Sequence, residues 1–284
     1  MNPLKKLQTI FRLVVIFFRR PKEAVGAVLV LLDQDVKVRT IRRHGCPEGI
    51  PSIDLLDLVP DFRETVSPIA FLEGGSPVLD LGLLKALARR VPDCRYFEIG
   101  SWRGESVANV AAVARECFAL SLSDEAMLAG GWGQPFVDTA RFFSQGLSNV
   151  THLSHDSRTF DFTPYHGAVD LVFVDGDHTY EGVRSDTVNA FRLLRNDNSV
   201  IVWHDYMRSP ERDIDWNVLG GILDGCPPEK RGRIFHVSNT LCAVYVPGDF
   251  RGQIWRFPAL PNKLFKVEII AGSIPTAQSP NASR

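Results

Sequence analysis

Three apolar runs that each stop abruptly on glycine or charge constrain this chain more than anything else in it. Tyr96-Phe97-Glu98-Ile99 runs into Gly100, Leu171-Val172-Phe173-Val174 into Asp175-Gly176-Asp177-His178, and Val200-Ile201-Val202-Trp203 into His204-Asp205. Short apolar runs of this kind are what strands buried on both faces of a parallel sheet require. In an open parallel sheet, ligands sit in the crevice outside the carboxyl ends of the strands. Glu98, Asp175 and the His204-Asp205 pair therefore predict one acidic site along a common sheet edge, and with it an enzyme.

The surrounding pattern agrees. Strand-like runs over 95–99, 117–122, 149–154, 170–174 and 199–203 alternate with stretches of helical period. Val107, Val110, Ala111 and Ala114 mark one helix, Phe136, Ala140 and Phe143 another, and Val183, Thr187, Phe191 and Leu194 a third. Such alternation predicts an α/β fold, a mostly parallel sheet with helices on both faces. Ile234–Val237 and Leu241–Val246, parted by Ser238-Asn239-Thr240, read as a closing antiparallel hairpin. Upstream, Ser76 reads as a helix cap with Pro77 at the first helical position, and Pro92 as the stop. Residues 36–75 are rich in Pro and Gly and read as irregular wrapping. The expected organisation is an N-terminal helical extension and linker over 1–75, the α/β domain over 76–250 and a tail over 251–284.

Composition excludes several classes. A net charge of −1 supplies no global field to recruit nucleic acid. The five cysteines, Cys46, Cys94, Cys117, Cys226 and Cys242, form no C-x-x-C pair, so free thiols in a reducing cytoplasm are expected. The first 35 residues differ from the rest. Lys5, Lys6, Arg12, Arg19, Arg20 and Lys22 precede the first acid, Glu23, and are interleaved with Leu4, Phe11, Phe17 and Phe18. Arg12 interrupts the apolar run well short of the ~20 residues a membrane span needs. A basic amphipathic helix resting on the inner membrane surface and a helix packed on the core are both open readings.

Glu98-x-Gly100-x-x-x-Gly104-x-Ser106 lies where a strand should turn into a helix. Gly100 suits the turn, Gly104 suits close approach of a ligand to the backbone, and the helix start offers free N–H groups to an anion. The spacing is not the Gly-x-Gly-x-x-Gly of dinucleotide sites. It resembles the first motif of class I S-adenosylmethionine-dependent methyltransferases. That resemblance implies a Rossmann-like methyltransferase sheet, with Glu98 serving the methionine ammonium and Gly100, Ser101, Gly104 and Ser106 wrapping the cofactor. It also places Asp156 and Ser157 near adenine and Asp175 beside the cofactor. Ser121 stands where the family carries an acid for the ribose hydroxyls.

The run Asp175-Gly176-Asp177-His178-x-Tyr180-Glu181-Gly182, with His204-Asp205-Tyr206 after the next strand, narrows the likeness. It is similar to a subfamily that includes sugar O-methyltransferases and cephalosporin-hydroxylase-like proteins, over roughly residues 76–246. The resemblance implies methyl transfer to a hydroxyl of a small molecule or glycan, with Asp175 and Asp205 as metal ligands and Asp177 as base. His204 replaces the family's first acid of an Asp-Asp pair. Hard oxygen ligands suit Mg²⁺, whereas an imidazole suits Mn²⁺, Fe²⁺ or Zn²⁺. A metal held by Asp175, His204 and Asp205, or a metal-free site with His178 or His204 as base, are both left open. So are two other readings, a metal-dependent hydroxylase-like enzyme and a non-catalytic membrane-surface module. Tyr180 and Tyr206 read as pocket walls, Trp102 and Trp203 as packing.

Overall fold

The computed structural model describes residues 14, 15 and 17–274. The chain divides into two compact units, Met1–Pro47 and Glu48–Arg284. The first contains helix α1 (Pro21–His44), which starts with proline in its first turn and ends on Gly45 at φ 67°. Helix therefore continues nine residues into the segment read as irregular, up to the first glycine that can adopt the left-handed cap. Residues 1–13 and 16 of the basic amphipathic stretch, with Lys5, Lys6 and Arg12, lie outside the described residues. Among those described, no helix is long and apolar enough to cross a membrane.

The second unit opens with β1 (Ser52–Ile53), α2 (Leu55–Leu58), α3 (Val78–Arg89), β2 (Arg95–Ile99), α4 (Glu105–Ala111) and β3 (Glu116–Ser121). There follow α5 (Asp124–Ala129), α6 (Gln134–Val137), β4 (Val150–Ser154), β5 (Leu171–Val174), α7 (Tyr180–Leu193) and β6 (Val200–Trp203). A small antiparallel pair, β7 (Met207–Ser209) and β8 (Arg212–Ile214), precedes α8 (Trp216–Gly225), β9 (Ile234–Val237) and β10 (Ala243–Tyr245). Eight strands make one sheet in the order β1-β9-β10-β6-β5-β2-β3-β4. All pairs are parallel except those of β10, which runs against both β6 and β9. This is the Rossmann-like, mostly parallel sheet with a closing antiparallel hairpin that the pattern predicts.

Two stretches fold otherwise than expected. Helix over 136–143 is confined to α6, because Arg141 sits at φ 62° and its N–H and that of Phe143 bond to the carbonyls of Trp102 and Arg103. Tertiary hydrogen bonds there override a helical period. At α3 the cap position is Pro77 itself, with no side-chain cap, so Ser76 is not the capping residue.

Register decides what the sheet edge presents. Ile99 pairs with Leu120 and Val174, Val174 with Trp203, and Ser121 with Ser154. The next residues out, Gly100, Asp175 and His204, consequently stand side by side at the carboxyl ends, with Ser121 in the same row. Beneath them Phe97, Val172, Phe173, Val202 and Trp203 are fully buried, which anchors the row on a rigid core.

Candidate active site

Gly100 is the hinge of the site. It adopts φ 98°, and a Cβ there would fall 2.2 Å from the Asp175 carbonyl oxygen, so only glycine permits β2 and β5 to end this close together. Gly104 also needs its positive φ, at 80°, but the space beside it is taken by Ser144 Oγ, 2.2 Å from where a Cβ would sit. Gly104 remains on the cavity wall, and the structure adds a second reason for a glycine there. Its missing side chain makes room for Ser144.

Around this hinge lies a cavity of about 340 Å³ whose wall includes Gly100, Ser106, Asp175, His178, His204 and Asp205. Its core is a ring of two imidazoles and two carboxylates. His204 Nδ1 lies 3.2 Å from Asp175 Oδ1 and 3.1 Å from Asp205 Oδ2. His178 Nε2 lies 3.6 Å and 3.2 Å from the same two oxygens. Asp205 holds this position in the left-handed region, at φ 53°, which aspartate tolerates better than most residues.

The other nitrogen of His204 supplies what sequence reasoning missed. Nε2 is 3.0 Å from Oδ2 of Asp80, a fully buried acid in the first turn of α3 that also accepts the Leu241 N–H. An acid behind an imidazole fixes the ring and its tautomer, here leaving Nδ1 towards the cavity. Burial disfavours a charge on His204. Asp175 first, and hydrogen bonds to Asp175, Asp205 and Asp80, nevertheless raise its pKa well above the ordinary histidine value. Burial likewise opposes ionisation of Asp175, but the His204 charge and bonds from both histidines hold it down at about 2. His178 is raised chiefly by its bond to Asp175. No sequence signal ties Asp80 to His204 across 124 positions.

Other predicted residues fall elsewhere. Asp177, expected as base, accepts the Thr179 N–H and hydroxyl at 2.9 Å each in the turn before α7, whose cap is Thr179, so it is a turn residue outside the cavity wall. Glu98 is completely buried under the loop. Its oxygens accept from Tyr96 Oη at 2.6 Å and Ser106 Oγ at 2.8 Å, and burial raises its pKa to about 7. It braces the glycine loop from below and does not face the cavity. Ser101 is buried in the loop, and Ser121 lies buried at the end of β3. Asp156 is bound by Arg158 on the loop after β4, where Ser157 also lies. Tyr206 is buried and accepts the Ile50 N–H, and Tyr180 donates to Asp224, so neither is a cavity wall. Trp102 does line the cavity while stacking on Phe136 at 4.4 Å.

A strap over 67–75 completes the wall. Ala70 N–H donates to Glu105 at 2.6 Å, Ser67 N–H to Asn109 at 2.8 Å, and Arg103 to the Glu73 carbonyl at 2.9 Å. Arg103 and Glu105 form a buried ion pair at 3.1 Å beneath it.

The donor set also fits a divalent ion. The ligand atoms of Asp175, His204 and Asp205 all lie within 4.8 Å of one another. Bonds of ~2.1 Å at right angles would part neighbouring donors by about 3 Å, close to the spacing found.

Residues 97–206 match the model of a family described as a methyltransferase domain. No curated protein matches the chain. Among solved structures it is similar to the YcgJ protein of Bacillus subtilis, at 19% identity over 44% of this chain and 49% of that one, TM-score 0.35. It is also similar to cofactor-bound Rv0187 from MTB, at 19% identity over 62% and 82% of the two chains, TM-score 0.44. A third is CalS10 bound to S-adenosylmethionine, an amino pentose methyltransferase of Micromonospora echinaspora, at 24% identity over 48% and 51%, TM-score 0.33. The chain thus spans about half the length of the first of these. The family match, over residues 97–206, and the Rossmann-like sheet make this part of the chain similar to a methyltransferase domain. Neither the hydroxylase-like nor the non-catalytic alternative gains support.

Proposed function

We propose that the protein methylates a hydroxyl oxygen of a small molecule or glycan. The observation that carries this reading is His204, seated between buried Asp80 and the cavity-facing Asp175 and Asp205, beside the glycine hinge. An alcohol is too weak an acid to attack a sulfonium methyl unaided, so its proton must be taken up as the methyl arrives. Asp80 holds the ring, Nδ1 receives the proton, and Asp175 and Asp205 stabilise the imidazolium formed. His178 supports the same carboxylates from the open side. Gly100, Ser101, Gly104 and Ser106 form the cofactor loop.

A second reading rests on the donor spacing. Asp175, His204 and Asp205 would hold Mg²⁺ or Mn²⁺, which would polarise the acceptor hydroxyl when bound. The two readings separate cleanly. Purified protein is incubated with S-adenosylmethionine and a panel of sugars, phenols and aliphatic alcohols, and S-adenosylhomocysteine and methyl ether are followed by mass spectrometry. Activity that survives chelators favours His204 as base, and activity lost and restored by Mn²⁺ favours the metal. Methylation of amines or carbons alone from that panel, with no ether formed, defeats the hydroxyl assignment. The cytoplasmic face of a membrane is the setting we infer for this activity, from the early cations and from Phe17 and Phe18, both exposed.

A further inference from the structure

The last described stretch of the chain carries a strand's pattern without a sheet. Beyond Gln253, which pairs with Ser52 through two backbone hydrogen bonds, residues 254–274 form neither helix nor strand. Yet Phe265, Val267 and Ile269 alternate with Lys266 and Glu268, the period of a strand buried on one face. Phenylalanine, valine and isoleucine are also the residue types that pleated surfaces favour. Leu264, Val267, Ile269 and Ile270 are all exposed, Ile270 at 86%. Single exposed aliphatics need no explanation, but a contiguous run of them marks a surface that something covers.

The same molecule holds the complementary feature. β4 is the outermost strand on the far side of the sheet, and no strand among the described residues pairs with its outer side. The His155 N–H bonds to the Ser121 carbonyl of β3, so by alternation the N–H groups of Ser154 and His152 point outward. Natural edges are blunted by charge, proline or a bulge. Val150-Thr151-His152-Leu153-Ser154 contains neither proline nor lysine nor an acid.

Tail and edge cannot meet within one chain. Lys263 is fixed at the other end of the sheet, its Nζ 2.7 Å from Asp54 after β1 and 3.2 Å from Ser238 after β9. β1 and β4 are the first and last strands in the sheet order, roughly 34 Å apart at about 4.8 Å per step. The chain from Lys263 to Val267 spans at most ~14 Å. We infer that residues 264–270 add as a strand to the β4 edge of a second copy of this chain. A two-fold operation that exchanges the two ends of the sheet seats each tail on the other copy's edge and closes the pair. Main-chain hydrogen bonds supply the affinity and the alternate aliphatic side chains the fit. The inference stands apart from the methyl-transfer reading.

The test is the oligomeric state of the full chain, by size exclusion with light scattering across a dilution series. The wild type should be a dimer that dissociates on dilution. Val267→Glu combined with Ile269→Glu should make it monomeric at the same concentration without unfolding it, since neither side chain is packed within one copy. Ser154→Pro removes an outward N–H and spares the inward ladder, so it should give a monomer too. Mixing these two variants should restore a dimer, because one keeps an intact edge and the other an intact tail. Amide hydrogen exchange gives a readout free of substitutions: the Ser154 and His152 N–H groups of the wild type should slow as concentration rises through the dimer range. A wild type that is monomeric throughout overturns the proposal. So does a dimer that folded Ser154→Pro leaves intact, a mixture of variants that stays monomeric, or β4 amides that exchange at the monomer's rate in the dimer. A monomeric wild type whose vesicle binding the tail variant abolishes would assign the apolar run to a membrane surface instead.

Discussion

At the residue scale, His204 and Gly100 carry the site, and each makes a sharp prediction. An imidazole with an ordinary pKa near 6.5 would give an activity limb there. His204 lies well above its ordinary value, because Asp175, Asp205 and Asp80 outweigh the burial that opposes its charge. The form able to take a proton is the neutral one, and a raised pKa means that form accumulates only at higher pH. The acid limb of kcat/KM is therefore expected well above pH 6.5, with activity still climbing through neutrality. Asp80→Asn removes one of the charges holding the proton, so it should move the limb down and lower kcat by about tenfold or more. His204→Gln should cost about 10²–10⁴ in kcat. A wild-type limb at 6.5, or one that Asp80→Asn leaves in place, rules His204 out as the base.

Gly100 tests the scaffold under that chemistry. Its φ of 98° is a region that L side chains rarely adopt, and an added methyl would collide with the Asp175 carbonyl. Gly100→Ala should destabilise by several kcal/mol, roughly the sum of backbone strain and overpacking. Chemical denaturation with a midpoint within error of wild type would show that β2 and β5 can part without cost. Gly104→Val has a different meaning from the one its motif suggests. Because the side-chain space faces Ser144, loss of cofactor binding in that variant would report a displaced loop and not a blocked ligand.

At the scale of elements, the strands were legible and their neighbours less so. Buried parallel strands announce themselves as apolar runs, and β2, β5 and β6 lie within a residue of the runs read from sequence. Asp175, His204 and Asp205 were legible for the same reason, since a strand end in a parallel sheet is already an address. Asp80 was not. An acid in the first turn of α3 looks like any residue that suits a helix N-terminus, and only the packing of α3 against the ends of β6 and β10 brings it to His204. Asp177 misled in the opposite way, because Asp-Gly-Asp reads as a catalytic run whichever acid faces the cavity. The edge strand β1 escaped because two residues carry no period, and its pairing depends on β9.

That edge is pinned by a histidine with its own pH signature. His236 of β9 is 2% exposed, with Nδ1 at 2.8 Å from Ser52 Oγ of β1 and Nε2 at 3.0 Å from the Thr240 carbonyl. Burial, only partly offset by the Thr240 bond, lowers its pKa to about 4. Unfolded, it takes up a proton near pH 6.5; folded, it resists until about 4. Between those values the unfolded state binds more protons, so stability is complete above pH 6.5 and is lost as pH falls. The loss reaches about 3 kcal/mol by pH 4, an order-of-magnitude figure from the shift. Urea midpoints measured from pH 7 to 4 should show this decline, and His236→Gln should flatten it. An equal decline in both proteins would assign the acid sensitivity elsewhere.

At the scale of the whole molecule, the unit that carries the sheet has a definite beginning. Composition places a boundary near residue 75, since the segment before it lacks period. The compact unit instead starts at Glu48, and residues 48–75 do three jobs within it. Ser52–Ile53 add the outermost strand, Leu55 and Leu58 enter the main core, and the strap over 67–75 is laced to Glu105 and Asn109 at the cavity wall. A chain starting at Glu48 should therefore fold with a Tm within a few degrees of the full-length protein and bind S-adenosylhomocysteine with unchanged affinity. A chain starting at Ser76 exposes the apolar surface under α2 and leaves the Arg103–Glu105 pair without its cover. Losing two buried leucines costs about 2–5 kcal/mol each by analogy with large-to-small substitutions, which approaches the whole stability of an ordinary domain. That shorter chain should be insoluble or molten. Vesicle flotation completes the comparison: if residues 1–47 carry the membrane attraction, the chain from Glu48 should lose binding to anionic vesicles while keeping its activity, and salt should release the full-length protein. Should the chain from Ser76 fold and methylate normally, residues 48–75 are a linker after all and the cavity wall they form is dispensable.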